Sequence, residues 1–465
     1  MIFPTIEFCV FFGIVLTVSW LLMPHPAPWK AFVLAASYVF YAAADWRFCV
    51  LIALVTLGNQ GFAVAIARRE SERARTWLLR AAVVLDLALL GFFKYYGFFT
   101  EQVGAVLDSV ALGMPLPILS LVLPVGISFF TFQAISYVVD VRRRILPPGA
   151  TVDVALYLSF FPHLVAGPIV RAREFLPQLE RPRDPRDVAL GAGVLLIVIG
   201  LVKKVVLADF LARSVADPVF AVPEAYSSPD VLLACYAYAA QIYCDFSGYT
   251  DMAIGLALLM GIRFPQNFNR PYRARSFQDF WRRWHMTLSR FLRDFLYIPL
   301  GGSRGGEWRT ARNLMLTMLL GGLWHGAALG FILWGGLHGA YQAVERVLRR
   351  TVTWRPPAWL AWGVTFHLVV LAWIPFRAPD LDLAWAFFKQ LGQPGPATLW
   401  TPAAVAATLL VIGGQLLPPA PLDAARVRME SLRPAALATG LAVSIMVVSA
   451  TIPSAGVPPF IYFQF

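Results

Sequence analysis

Apolar runs start within the first residues and recur to the last, separated by short polar or basic stretches. They lie near 3 to 22, 31 to 44, 48 to 67, 76 to 98, 117 to 139, 188 to 211 and 231 to 260, then near 313 to 329, 331 to 345, 357 to 376, 402 to 418 and 434 to 452. At helical rise such runs are matched to a hydrocarbon core of about 30 Å. They are continuous rather than short and alternating, which predicts helices, because a helix bonds its own backbone where no water is present. The expectation is an all-α polytopic membrane protein, one domain over residues 1–465 with roughly ten to twelve transmembrane helices. The first run has no basic residue before Lys30 and no small-residue cleavage pattern, so it reads as a retained span rather than a signal peptide.

Two segments depart from a simple crossing. Residues 153–170 (DVALYLSFFPHLVAGPIV) are apolar, yet both flanks are basic and Pro162, Gly167 and Pro168 interrupt the run. This predicts a re-entrant hairpin buried in protein. Residues 275–298 (RSFQDFWRRWHMTLSRFLRDFLYI) place Phe277, Trp281, Trp284, Leu288, Phe291, Leu292 and Phe295 at helical spacing opposite a charged face. That pattern predicts one amphipathic helix, interfacial or re-entrant, with His285 on its apolar stripe.

The chain is 58% hydrophobic and 14% charged, with no separate polar block, which fits one membrane domain. Its net charge of +12 could suggest nucleic acid. The basic residues, however, sit between apolar runs with no aromatic platform around them, and 30 of the 39 Lys and Arg fall in 68–75, 142–144, 171–186, 263–312, 346–355 and 426–433. The positive-inside rule places those stretches in the cytoplasm and the N-terminus outside; no nucleic-acid partner is expected. The four cysteines, Cys9, Cys49, Cys235 and Cys244, lack metal or disulfide spacing, and no histidine pair has the i,i+4 spacing of a zinc helix, so no metal is predicted.

Candidate chemistry rests on ionisable groups at depth. His325 lies thirteen residues beyond Arg312, about 20 Å along a helix, among Gly321, Gly322, Gly326, Ala327 and Ala328. An intramembrane histidine is a functional hypothesis by default, and small neighbours leave room for a substrate or a close helix contact. For His285 the alternative is a ring bonded to a backbone carbonyl. His338 reads either as a satisfied span residue or as a second wall of the same cavity. Gln241, Asp245 and Ser247 punctuate the 231–260 run, as substrate path or structural network. Lys203 and Lys204 read as snorkelling side chains. Arg304, in the turn IPLGGSRGG, could approach phosphates of a donor, and a flexible connector is the alternative.

The stretch 269–300 (NRPYRARSFQDFWRRWHMTLSRFLRDFLYIPL), followed by 321–327 (GGLWHGA), resembles the signature of the membrane-bound O-acyltransferases, in the branch of the alginate O-acetylation protein AlgI and the D-alanyl transfer protein DltB. LPVGISFFTFQAISYVVD, SFFPHLVAGPIVR, QIYCDFSGYTDMAIG and the terminal FIYFQF are similar to the AlgI branch, while the first 60 residues and 377–433 match less distinctly.

The resemblance implies a ring of helices around a central tunnel, with a cytoplasmic opening for the acyl donor and an outward funnel for the acceptor. It makes His325 the essential histidine and His285 the second signature histidine, with Trp324 and Trp284 beside them as candidate substrate contacts. It implies no bound cofactor, an acetyl-CoA or other acyl thioester donor, and a periplasmic acetyltransferase or polysaccharide-synthesis partner in a bacterial inner membrane. His285 would either supply an oxyanion donor or hold the donor end of the tunnel. A D-alanyl transferase fed by a carrier protein is the alternative within the enzyme class. A transporter or channel is the alternative outside it, although no internal repeat is visible between the halves.

Overall fold

The computed structural model describes residues 3–109 and 122–452, so the terminal FIYFQF and part of the 117–139 run lie outside the described residues. The described residues are helical, with no strand among them. Three helices are long and apolar enough to cross a membrane, Trp46–Arg68, Glu72–Thr100 and Ala358–Arg377, and Ile6–Leu22, Pro402–Gly414 and Pro434–Ser449 are apolar but shorter. The remaining long helices carry more polar residues. The chain folds as two compact units, residues 1–189 with 256–264, and residues 190–255 with 265–465.

In the first unit, Ile6–Leu22, Pro26–Ala42, Trp46–Arg68, Glu72–Ser109 and Ile127–Arg142 follow one another as helices. The run at 153–170, where a re-entrant hairpin is expected, is broken. Thr151–Ser159 is a nine-residue helix, too short to cross, and the chain breaks at Phe160 before the single turn Phe161–Leu164. Pro162 and the turn at Gly167 stop the helix as predicted, and side chains satisfy the freed backbone. The Tyr157 hydroxyl donates to the Val170 carbonyl at 2.9 Å, and the His163 ring bonds the Tyr157 carbonyl at 2.9 Å.

The second unit holds Leu190–Leu201, Ser228–Gly255 of the Ser228–Leu259 helix, the short helices Phe277–Trp281 and Met286–Leu292, and then Glu307–His325, Leu329–Thr351 and Ala358–Arg377. Two stretches, Val202–Ala208 and Ala212–Ala216, are π-helical. Lys203 and Lys204 in the first of these do not snorkel. The Lys203 ammonium meets Asp251 at 2.7 Å, and that of Lys204 meets Asp245 at 2.6 Å and Asp209 at 2.8 Å with all three side chains buried. Asp245 and Asp251, six residues apart on the Ser228–Leu259 helix, supply partners together with Asp209, so neither lysine has to reach for water.

Glu307–His325 and Leu329–Thr351 form a tight antiparallel hairpin whose backbones touch. A methyl group at Gly322 would collide with the Phe331 carbonyl, and one at Gly335 with the Met318 carbonyl. Neither obstacle is a flexible side chain. Gly322→Ala is therefore expected to cost about 1–3 kcal/mol by overpacking, read as a lower midpoint of thermal unfolding in detergent. An unchanged midpoint would show that the hairpin can open without loss.

Candidate active site

The Glu307–His325 helix is unbroken, so His325 stands as far from Arg312 as its spacing predicts. It is the last helical residue, because Gly326 is extended and Ala328 already caps the returning helix. The ring therefore sits at the tip of a hairpin and is 4% exposed. Trp324, Trp334 and Phe376 surround it at ring-centroid distances of 5.0, 5.1 and 5.3 Å. These steeply inclined, edge-on contacts suit aromatic quadrupoles and leave little space for bulk water.

His338 is fully buried, one turn beyond Trp334 on the returning helix. It stacks on Phe280 at 13° and lies against Trp281 at 5.2 Å and Trp334 at 4.8 Å. Neither ring nitrogen has a hydrogen-bond partner among the described residues. A buried polar group left so is costly, and a substrate or water would satisfy it. Trp334 thus separates two histidines and touches both.

The continuous amphipathic helix expected at 275–298 is not formed. It breaks after Trp281, and His285 adopts a left-handed backbone (φ 42°) before Met286–Leu292 resumes and a π-helical turn, Arg293–Tyr297, follows. The aromatic periodicity runs through the break, because the cause lies elsewhere in the chain. Asn267, fully buried, accepts from the Thr287 N–H at 3.1 Å and the Thr287 hydroxyl at 2.8 Å, and its carbonyl accepts from the Met286 N–H at 2.8 Å. These bonds hold the turn in a conformation that costs a non-glycine residue about 1–3 kcal/mol. His285 is buried as expected, packed edge-on against Phe246 at 4.7 Å and against Trp324 at 6.0 Å.

The other predicted site residues divide. Trp324 lies between the two histidine rings. Trp284 is walled in by Phe280, Phe268 and Trp373 at 5.7, 5.1 and 5.0 Å, a packing position. Asp245 belongs to the Lys204 cluster, and Ser247 is buried on the same helix. Gln241 is buried there too, with its side-chain oxygen unpartnered among the described residues. Arg304 is exposed in a loop whose glycines at 301, 302, 305 and 306 all have positive φ, and the structure does not bring it to the pocket described next.

That pocket, of about 700 Å³, opens between Phe277–Tyr297 and the far end of the histidine hairpin. Arg282, Arg290, Arg293, Arg346, Arg349 and Arg350 line it with a single acidic residue, Glu345. Glu307 lies at its edge, paired with Arg346 at 2.8 Å and with Arg350, and the Arg346 hydrogen bond holds its carboxyl below the usual carboxylate range. Trp281 lines the pocket and touches Trp334 at 5.6 Å, so one aromatic column links the basic pocket to His325. In the sequence the pocket's arginines belong to the basic stretches 263–312 and 346–355, where they read as ordinary flanking charge. Asn267, Trp334 and Phe376 are not marked by the sequence, the last two because one more aromatic residue in an apolar run carries no signal.

Residues 149–375, which include both histidines, match the model of the membrane-bound O-acyltransferase family. A probable alginate O-acetylase of Azotobacter vinelandii is 44% identical over 79% of this chain and 73% of its own length. A peptidoglycan O-acetyltransferase of Helicobacter pylori is 39% identical over 78% of this chain and 73% of its own. A teichoic acid D-alanyltransferase of Bacillus subtilis is 30% identical over 54% and 68%. A transporter is thereby set aside. Apolar helices, a histidine caged at a hairpin tip and identity over three quarters of the chain agree that this multi-pass membrane protein belongs to the membrane-bound O-acyltransferase family and is an O-acyltransferase.

Proposed function

We propose that the protein moves an acetyl group from a cytoplasmic thioester donor, acetyl-CoA, toward the O-acetylation of an exported or cell-surface polysaccharide in a bacterial inner membrane. The observation that carries this reading is the single aromatic column joining a pocket with six arginines to the caged His325. The arginines suit the phosphates of the donor, and the positive-inside rule puts them in the cytoplasm and the N-terminus outside. The names of the alginate and peptidoglycan relatives, at 44% and 39% identity, favour acetyl transfer to a polysaccharide.

The chemistry asks little of the protein beyond position and a base. A hydroxyl attacks the thioester carbonyl as neutral His325 takes its proton, the C–S bond breaks, and the proton passes to the departing thiolate. The immediate acceptor is either the polysaccharide itself or a periplasmic acetyltransferase that carries the group onward. General-base assistance of this kind is worth about 10² to 10⁴-fold.

Donor recognition is tested at Arg282, which lines the pocket and has no carboxylate partner among the described residues. Arg282→Ala should raise KM for acetyl-CoA about two- to fivefold, the worth of one exposed charge contact, with kcat unchanged and the effect fading at high salt. A fall in kcat at constant KM would move the donor out of this pocket. The second reading is D-alanyl transfer from a carrier-protein thioester, favoured by the Bacillus subtilis relative. Thiol release from acetyl-CoA by purified protein supports the first; release from a charged carrier alone supports the second.

A further inference from the structure

The amide of Asn267 can be oriented without ambiguity. One of its side-chain heavy atoms lies 3.1 Å from the Thr287 backbone nitrogen, and a backbone N–H only donates, so that atom is the oxygen. The same oxygen lies 3.2 Å from His285 Nδ1. An amide oxygen only accepts, so the proton of the neutral His285 ring is on Nδ1. Nε2 then carries a lone pair, and it is buried with no hydrogen-bond partner among the described residues. Such a nitrogen cannot donate to an oxyanion while the ring is neutral. It can take a hydrogen bond from an O–H or N–H.

We infer that Asn267 is a positioning residue that locks His285 in the Nδ1–H tautomer, leaving Nε2 as an acceptor for an O–H or N–H group of a substrate. The functional half of this rests on the reading of the site given above; the tautomer does not. Of the two roles that the sequence leaves open for His285, oxyanion donor and holder of the donor, this geometry is compatible with the second. The amide N–H groups of a pantetheine arm and the hydroxyl of an acceptor both have the required chemistry.

The tautomer is read by nitrogen-15 NMR on histidine-labelled protein in lipid nanodiscs. The chain has six histidines, and the His285 signals are those missing from His285→Gln. The wild type should show a protonated Nδ1 and an unprotonated Nε2, with a mixed or reversed pattern in Asn267→Leu and the original one in Asn267→Asp, which keeps the oxygen. A proton on Nε2 in the wild type overturns the inference without any variant having to fold. Turnover tests the rest. His285→Gln and Asn267→Leu should each lower kcat for thiol release from acetyl-CoA about tenfold or more, the double variant should be no worse than His285→Gln alone, and Asn267→Asp should recover most of the loss. Multiplying losses in the double variant would mean that Asn267 does not act through His285. Full activity of His285→Gln would remove His285 from the reaction and the functional half of the inference with it, while the NMR result still decides the tautomer.

Discussion

His325→Ala should lower thiol release from acetyl-CoA by about 10² to 10⁴-fold, the usual contribution of a positioned general base, with little change in donor KM. The ring is 4% exposed at the end of its helix, caged by Trp324, Trp334 and Phe376. The carbonyl ends of the last helical turn also lie where positive charge grows as the ring takes a proton, which stabilises the imidazolium as it forms. Removing the ring leaves a cavity among aromatic residues, so a loss of fold has to be separated from a loss of chemistry. His325→Gln fills more of that space and cannot act as the base. His325→Gln should unfold thermally closer to the wild type than His325→Ala, and both should show the same loss of activity. An active His325→Gln would assign the proton to another group.

The second large effect concerns stability. Lys204→Met should destabilise the protein by about 3–5 kcal/mol, the range for removing one partner of a buried ion pair. The Lys204 ammonium lies between Asp209 at 2.8 Å and Asp245 at 2.6 Å, and each of the three side chains is at most 5% exposed. Without the cation, two carboxylates are left facing each other away from water. The triple variant Lys204→Met, Asp209→Asn, Asp245→Asn should recover most of the loss, because neutral groups of similar volume carry no such penalty. Thermal unfolding in detergent measures both. A single variant as stable as the wild type would show that water reaches the cluster.

Much of the helix framework is legible in the sequence because apolar length in a bilayer leaves few options. The runs predicted at 48–67 and 357–376 are the helices Trp46–Arg68 and Ala358–Arg377. The break in 153–170 is legible for a local reason, since Pro162, Gly167 and Pro168 within seven residues all disfavour a continuous helix. The break at His285 is not legible, because Asn267 imposes it from eighteen residues away while the local periodicity continues undisturbed. The fate of the lysines was within reach: Lys203 and Lys204 in one apolar run and Asp245 and Asp251 in another are opposite charges in one medium. The glycine-rich loop around Arg304 looks like a phosphate cradle only until its side chain is found exposed and away from the pocket. His325 was legible from depth alone, and its cage was not, since Trp334 and Phe376 become special only once the hairpin has closed.

The most direct test of the central claim is a two-readout experiment in proteoliposomes containing the purified protein and a hydroxylated polysaccharide, alginate, with acetyl-CoA labelled in its acetyl group. Free thiol and label retained on polysaccharide or protein are counted in the same sample, for the wild type and His325→Gln. The account predicts thiol release matched by acetyl label leaving the donor in the wild type, and neither in a folded His325→Gln. Thiol release at the wild-type rate by the folded variant would contradict it.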